Sequence, residues 1–199
     1  LALVGIGEKG FLTLRIKVFG LGGHSSMPPA KSSLVYAAEI IEKLNNNQLP
    51  PQIISPIASF LDNIGGEMNF TSRMAIANQW LLKPLLINTF SKSPSSNALI
   101  RTTTAISMAK GSDAPNVLTS VSEVTVNFRI LPGETVNDII DHVNKVCEGY
   151  EFEMEIISSR EPSAISPEDT KGFHVIRKTI LQLYPEAIVS SYITIGGTD

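Results

Sequence analysis

Three polar side chains of this sequence have the chemistry to hold a carbonyl oxygen and a carboxylate. His24 lies in a glycine-rich turn, Asn116 follows a proline in a second turn, and Arg129 lies on a strand between apolar residues. Imidazole and carboxamide N–H groups donate to a carbonyl oxygen, whereas a guanidinium binds both oxygens of a carboxylate. The three groups are therefore suited to binding a substrate. They include no nucleophile, no acid–base pair and no metal site that could carry out the reaction itself.

Each of these side chains also has an ordinary structural interpretation. A loop histidine is commonly hydrated, asparagine is frequent in turns, and a strand arginine commonly forms an ion pair with a neighbouring strand. His142 and His174 lie in helical patterns, and we interpret both as surface or structural histidines. Cys147 lies among apolar residues, and we interpret it as a small buried hydrophobe.

The composition argues against several classes of function. With 43% hydrophobic and 18% charged residues, the 199-residue chain has enough apolar side chains for a substantial core. A net charge of −3, with no strand that interleaves basic and aromatic residues, argues against nucleic acid as a partner. No apolar run approaches the roughly 20 residues of a transmembrane segment. A single cysteine forms no internal disulfide, so the sequence fits an oxidising and a reducing compartment equally well.

Alternating and helical periodicities predict the elements that position the three side chains. The order strand, helix, strand, strand, helix, strand is typical of an α+β two-layer sandwich, with a four-stranded antiparallel sheet and both helices on one face. The predicted strands cover about 11–19, 101–109, 123–131 and 151–158, and the predicted helices begin at Ser32 or Ser33 and at the capping-box pair Thr135 and Asp138. Ile106 and Met108 should share one face of the second strand, and Arg129 should face away from the core.

Two segments lie outside this sandwich. Residues 50–98 form an insertion rich in proline, serine and asparagine, with helical patterns near Ile57–Leu61 and Asn78–Phe90. Residues 162–199 predict a helix and an apolar strand of α/β character, which indicates a piece of a neighbouring domain. Because the sequence begins and ends abruptly, we expect it to be part of a longer protein.

Six short motifs follow one another along nearly the whole chain. They are Glu8-Lys9-Gly10-Phe11, Gly23-His24-Ser25-Ser26-Met27-Pro28-Pro29, Ile100-Arg101-Thr102-Thr103-Thr104-Ala105, Ala114-Pro115-Asn116-Val117, Val126-Asn127-Phe128-Arg129-Ile130-Leu131-Pro132-Gly133 and Ile195-Gly196-Gly197-Thr198-Asp199. In this order the chain resembles the lid, or dimerisation, domain of the dizinc aminoacylase and carboxypeptidase metallopeptidases. It is most similar to the branch of carboxypeptidase S-like enzymes and N-fatty-acyl-amino-acid synthase/hydrolases.

The resemblance implies a division into domains. Residues 10–161 would be the lid with its insertion at 50–98, residues 1–9 would end the first half of a catalytic domain, and residues 162–199 would begin its second half. Lids of two subunits would pair edge to edge in a homodimer. The family binds two zinc ions through a His-x-Asp motif, a Glu-Glu pair and further ligands. Neither motif occurs here, so the chain alone is expected to bind no zinc and to be inactive.

The resemblance also implies a role for each candidate residue. His24 would donate a hydrogen bond to the scissile carbonyl oxygen in the partner subunit's active site, and Asn116 would contact substrate from across the same dimer. Arg129 would bind the terminal carboxylate of the substrate. Gly197 and Thr198 would line the same carboxylate pocket with backbone N–H and hydroxyl donors.

The function expected on these grounds is that of a zinc-dependent amidohydrolase or carboxypeptidase. Its substrates would be N-acyl amino acids or peptides with a free C-terminal carboxylate, attacked by a zinc-bound water with a catalytic-domain glutamate as base. The alternative is a non-catalytic module that dimerises or binds a small acid. The apolar residues at 80–90 either pack on their own domain or cover a long acyl chain. A glycosylation sequon at Asn69 has meaning only in a secreted protein, and secreted and vacuolar or lysosomal locations both stay open.

Overall fold

The computed structural model describes residues 1–196 of the chain. Its strands are β1 (Ala2–Glu8), β2 (Gly10–Phe19), β3 (Gly23–His24), β4 (Thr103–Lys110), β5 (Val117–Leu118), β6 (Val121–Ile130), β7 (Phe152–Arg160) and β8 (Val189–Thr194). Its helices are α1 (Ser33–Asn46), α2 (Ser55–Gly65), α3 (Phe70–Ala77), α4 (Gln79–Phe90), α5 (Pro94–Ile100), α6 (Val136–Val146) and α7 (Lys171–Leu183). They form a sandwich, a helical insertion and a small parallel sheet.

The sandwich contains a four-stranded antiparallel sheet in the order β4-β6-β2-β7. β2 pairs with β6 along its whole length, from Gly10 opposite Ile130 to Phe19 opposite Val121. Along both strands, alternate side chains are buried against α1 and α6, while those between them face the open side of the sheet. This arrangement confirms the predicted α+β two-layer sandwich with both helices on one face.

One hydrophobic core joins the sheet to its two helices. Its fully buried members include Leu12, Leu14, Ile16, Val18, Ile40, Leu44, Val124, Val126, Phe128, Ile130, Ile139, Val143 and Cys147. Cys147 is a buried free thiol, and burial raises its pKa to about 11, which confirms its interpretation as a small hydrophobe. Helix α6 begins at the predicted capping box, in which Thr135 accepts a hydrogen bond from the backbone N–H of Asp138 and donates to its carboxylate. The hydrogen bonds from Thr135 keep the pKa of Asp138 below its ordinary value.

The edge strand β4 contains one residue more than its partner. Ile106 lies opposite Val126 and Met108 lies opposite Thr125, so the bulge falls at Ser107. Because one inserted residue reverses the alternation of side chains beyond it, Met108 turns away from the core and is 68% exposed. The prediction that Met108 shares a face with Ile106 was therefore wrong, since a simple alternation contains no signal for a bulge.

The insertion folds as four short helices with a hydrophobic cluster of their own. Its buried members are Ile57, Leu61, Ala75, Ile76, Leu86 and Ile100. Two of the helices were predicted, whereas α3 and α5 were missed because they are only eight and seven residues long. Their N-caps are Asn69 and Ser93, whose side chains accept hydrogen bonds from backbone N–H groups. Leu86 and the adjacent Leu82 lie in this cluster, which supports packing of α4 on its own domain.

A second, smaller sheet joins the two ends of the described chain. β1 and β8 run parallel, from Ala2 opposite Val189 to Glu8 opposite Thr194. Helices α2 and α7 pack against β8. Parallel pairing covered by helices is typical of α/β domains, and α7 and β8 confirm the helix and strand predicted after residue 162.

Close backbone contacts hold the small sheet against the sandwich. A Cβ atom at Gly10 would lie 2.5 Å from the carbonyl oxygen of Arg160 and 2.6 Å from the nitrogen of Pro162, so only glycine fits this crossing. The guanidinium of Arg160 also forms an ion pair with the carboxylate of Glu8. The backbone N–H of Ser163 donates to the carbonyl of Glu8 at 3.0 Å.

Lys9 is buried at this junction, with 1% of its surface exposed. Its ammonium donates to the carbonyl oxygens of Ala98 at 2.9 Å and Arg101 at 2.6 Å, which are at the C-terminal end of α5. Burial lowers the pKa of Lys9 to about 8; the nearby Glu134 carboxylate opposes this shift and the Arg129 guanidinium adds to it. The ammonium therefore joins the insertion to the sandwich, at a cost in desolvation.

Replacing Lys9 with methionine should change how stability depends on pH. The folded state releases the Lys9 proton near pH 8 and the unfolded state near pH 10.5. Between these values the unfolded state binds more protons, so the wild-type free energy of unfolding should gain up to about 1.4 kcal/mol per pH unit relative to Lys9→Met. Urea titrations from pH 7 to pH 10.5 measure this difference.

The matched control is Lys92→Met, which removes an exposed lysine of the insertion and should keep the wild-type slope. Equal slopes for the wild type and Lys9→Met would show that Lys9 keeps its ordinary pKa in the folded chain.

Candidate functional site

His24 and Asn116 meet on a small two-stranded ribbon formed by β3 and β5. In this ribbon Gly23 lies opposite Leu118 and His24 lies opposite Val117. The backbone N–H of Ser25 then donates to the carbonyl of Asn116 at 3.1 Å. The ribbon brings together two turns that are more than 90 residues apart in the sequence, and both side chains are exposed.

Close packing at the base holds this ribbon in place. A Cβ atom at Gly22 would lie 2.9 Å from the carbonyl oxygen of Leu118 and 3.0 Å from the nitrogen of Ser120. The loop that carries His24 ends at α1, where the buried hydroxyl of Ser33 donates to the carbonyl of Thr119 at 2.7 Å. Both ends of the loop are therefore attached to the segment that connects β5 to β6.

The imidazole of His24 is oriented by a neighbour that the sequence did not single out. Its Nδ1 atom lies 2.8 Å from the hydroxyl of Ser26 and 3.2 Å from the backbone nitrogen of Ser26, which donates to it. No hydrogen bond to Nε2 is formed by any residue among 1–196. The sequence feature that could have indicated this contact is a serine two residues after a histidine in a glycine-rich turn.

Arg129 lies on the open face of the sheet, where its guanidinium is close to an aromatic ring. Its guanidinium carbon is 5.8 Å from the centre of the Phe11 ring on β2, a distance typical of a cation–π contact. Arg15, on the same face, forms ion pairs with Glu123 and Glu155. Within residues 1–196 no carboxylate forms an ion pair with Arg129, so the ordinary interpretation as a cross-strand salt bridge does not apply.

Within one subunit, Arg129 is far from the ribbon. The ribbon lies beyond Phe19 and Val121, which pair at one end of the sheet, whereas Arg129 lies next to Ile130 at the other end. Eight residues separate Val121 from Arg129 (129 − 121), which corresponds to about 26 Å of strand. A single amino-acid derivative cannot contact His24 and Arg129 of the same chain.

The end of β8 lies on the Arg129 side. The carbonyl of Thr194 accepts a hydrogen bond from the backbone N–H of Lys9 at 3.0 Å, one residue before β2 begins. The two remaining candidate residues, Gly197 and Thr198, lie outside the described part of the chain, so their assignment to the carboxylate pocket stays a prediction.

The other histidines have no place in this arrangement. Nε2 of His142 lies 2.8 Å from the carbonyl of Asn47, at the end of α1, which is a structural contact as predicted. His174 lies on the exposed side of α7. Among residues 1–196, no group of three histidine, cysteine, aspartate or glutamate side chains could hold a metal ion. None of the helices in that range is both long and apolar enough to cross a membrane.

Comparison with known proteins identifies a relationship along the whole chain. The model of the M20 peptidase dimerisation domain matches residues 6–154. A probable carboxypeptidase S-like 2 of Dictyostelium discoideum is 37% identical over 100% of this chain and 38% of its own length. A human N-fatty-acyl-amino acid synthase/hydrolase is 32% identical over 100% of this chain and 40% of its own length. The chain thus spans about two fifths of the curated relatives it matches.

Solved structures share the fold at lower sequence identity. The M20 family metallo-carboxypeptidase of Sulfolobus solfataricus superposes with a TM-score of 0.61 at 17% identity, over 97% of this chain and 53% of that one. Human carnosine dipeptidase 1 superposes with a TM-score of 0.58 at 10% identity, over 99% of this chain and 46% of that one. At such identities the likeness shows the fold alone.

Replacing Gly22 with alanine should loosen the ribbon while the core stays folded. The added methyl group would meet two backbone atoms of the β5–β6 segment, and backbone atoms cannot move aside as a flexible side chain can. The amide of Ser25, which is bonded to Asn116, should then exchange its hydrogen at least tenfold faster, as measured by NMR.

Amides of β2 and β6 should keep their protection in this variant. Gly66→Ala is the matched control, since a Cβ atom there meets nothing within 4 Å. Unchanged exchange at Ser25 in Gly22→Ala would show that the close packing does not hold the ribbon.

Proposed function

The chain belongs to the M20 peptidase dimerisation-domain family, and from this premise we propose that it is the central, lid-containing part of a metal-dependent amidohydrolase. This longer protein, called the parent enzyme below, would cleave N-acyl amino acids or peptides with a free C-terminal carboxylate. Residues 10–161 would form its lid, and residues 1–9 and 162–199 would belong to its catalytic domain. The names of the relatives, a carboxypeptidase and an N-fatty-acyl-amino acid synthase/hydrolase, support this class of substrate.

The observation that carries the proposal is the separation of two complementary half-sites within one chain. One end of the sheet presents the donors of His24 and Asn116, and the other end presents the guanidinium of Arg129. A carboxylate and an amide carbonyl of the same amino-acid derivative are only a few ångströms apart. Both half-sites can serve one substrate only when they come from different subunits of a homodimer.

The strand β4 is the edge of the sheet that suits this dimer. β3 follows β2 and β5 precedes β6, so the ribbon extends beyond the two central strands of the sheet. The exposed residues of β4 are mostly small or apolar, among them Ala105, Ser107 and Met108. The opposite edge, β7, exposes the acidic Glu153, next to Glu155, which forms ion pairs with Arg15 and Lys17 of β2. A partner paired along β4 would meet a mostly uncharged edge, whereas one paired along β7 would meet the carboxylate of Glu153.

In this dimer the described residues would bind and orient the substrate. Arg129 would hold the carboxylate through two parallel N–H donors, with the Phe11 ring centre 5.8 Å from its guanidinium carbon. His24 and Asn116 of the partner subunit would donate to the carbonyl oxygen and stabilise the negative charge that develops on it. In this proposal the two zinc ions are held outside the chain, because the His-x-Asp motif and the Glu-Glu pair of the family do not occur in its sequence.

The second candidate is a non-catalytic dimerisation or small-acid-binding module. The accessible Arg129, without an acidic partner among the described residues, would serve a bound acid as well as a bound substrate. This module would dimerise through the same edge but would hydrolyse no amide. Activity of the parent enzyme separates the two candidates.

Mixing two inactive variants of the parent enzyme should restore activity. His24→Ala should lower kcat by about 10²–10³, and Arg129→Ala should abolish productive binding of the carboxylate. A mixed dimer contains one site with both an intact Arg129 and the partner's intact His24, so random mixing should recover about a quarter of the wild-type rate. Hydrolysis of an N-acyl amino acid by the refolded mixture measures this recovery.

The control mixes His24→Ala with Asn116→Ala, which lie on the same half-site. Their mixed dimers lack a complete site, so this mixture should gain no activity beyond that of the variants alone. Failure of the first mixture to recover would place His24 and Arg129 in the same subunit's site. A wild-type parent enzyme without any hydrolytic activity would support the binding module instead.

A lysine on the β4 edge should weaken the homodimer. Ser107→Lys places an exposed positive charge on the edge strand, and a twofold interface brings two such charges together. The dimer dissociation constant should rise at least tenfold, as measured by sedimentation equilibrium.

Ser158→Lys is the matched control, because it makes the same change at an exposed position of β7, and it should leave the dimer intact. The reverse result, with Ser158→Lys alone dissociating the dimer, would assign the interface to β7.

A further inference from the structure

We propose that Ser26 is a positioning residue that holds His24 in the tautomer with its proton on Nε2. Through this tautomer Ser26 would determine that His24 presents a donor, and not an acceptor, to the carbonyl oxygen of a substrate. The second part rests on the function proposed above, whereas the tautomer itself is a property of this chain alone.

Two groups of Ser26 contact the same ring nitrogen. The backbone nitrogen of Ser26 lies 3.2 Å from Nδ1 of His24, and the hydroxyl oxygen lies 2.8 Å from it. A backbone N–H can only donate, so Nδ1 must accept. In a neutral imidazole one nitrogen accepts and the other donates, and the proton therefore lies on Nε2. The hydroxyl, which can donate or accept, then donates to Nδ1 as well.

The backbone around His24 keeps this contact in register. The carbonyl of His24 accepts from the N–H of Met27 at 3.1 Å, which closes a tight turn and brings Ser26 back to the ring. On the other side, pairing with Val117 and the bond from Ser25 to Asn116 fix the strand that leads into the turn. The turn thus directs Nδ1 towards Ser26, and no residue among 1–196 forms a hydrogen bond to Nε2.

The tautomer decides what His24 can do at a carbonyl oxygen. With its proton on Nε2, the exposed side of the ring donates and stabilises negative charge on that oxygen. With its proton on Nδ1, the same side would present a lone pair, which repels the oxygen. A proton on Nδ1 would also face the N–H of Ser26, so the turn disfavours that form.

The tautomer of His24 can be measured on this chain without any assay of activity. Long-range ¹H–¹⁵N correlation spectra recorded in alkaline buffer distinguish the two neutral forms of the ring. The wild type should show the Nε2–H form of His24. Ser26→Pro removes the backbone N–H, the one group of Ser26 that can only donate to the ring, so the ratio of Nε2–H to Nδ1–H should fall by about twofold to tenfold.

Two further variants separate this effect from a general disturbance of the loop. Ser25→Ala is the matched control, since only the backbone of Ser25 takes part in the ribbon contact, and it should keep the wild-type ratio. Ser26→Ala keeps the backbone N–H and loses only the hydroxyl, which can donate to one tautomer and accept from the other, so it should also keep the ratio. A wild-type ring with its proton mainly on Nδ1, or a ratio unchanged by Ser26→Pro, would overturn the proposal.

The same variants in the parent enzyme test the consequence for catalysis. Ser26→Pro should lower kcat by about the same twofold to tenfold with little change in KM. An enzyme that keeps full activity in His24→Ala would refute the catalytic role of His24, while the spectra would still decide the tautomer. A shifted tautomer ratio with unchanged kcat, in an enzyme that needs His24, would overturn the link to catalysis.

Discussion

The register between β2 and β6 is the constraint on which the rest of the structure depends. Ten residues of each strand pair without interruption, and their side chains alternate between the core and the open face. A shift of one residue would turn Phe128 out of the core and Arg129 into it, at the cost of burying a charge. The same pairing sets the distance between the two half-sites. The ribbon with His24 and Asn116 lies beyond one end of the paired strands, and Arg129 lies near their other end.

The distance between the two half-sites gives the sheet a second role, in addition to forming one side of the hydrophobic core. The ribbon with His24 and Asn116 is attached at one end, and Arg129 lies at the other, beside the junction with the small parallel sheet. A homodimer paired along β4 would convert two incomplete chains into two complete substrate sites. The long sheet would then act as a spacer, which keeps the donors of one subunit away from its own arginine and presents them to its partner.

The junction shows how the insertion is tied to the sandwich. Lys9 is buried at the point where β1 leads into β2, and its ammonium bonds to carbonyl groups at the end of α5. A buried ammonium is costly unless its donors are satisfied. The lowered pKa of Lys9 reports that cost, so this contact is a specific link and not a general source of stability. It lies on the Arg129 side of the sheet, where the proposed carboxylate pocket would be formed.

The sequence by itself determined the sandwich, the start of α6 and the burial of Cys147, because alternation, capping boxes and apolar stripes are local patterns. The motif resemblance likewise identified the family. The tertiary structure alone decided the bulge that exposes Met108, the burial of Lys9 and the meeting of Ser26 with the ring of His24. It also decided that Asn116 joins His24 while Arg129 stays remote. These features depend on backbone geometry and on contacts between distant parts of the chain, which no local pattern of residue types encodes.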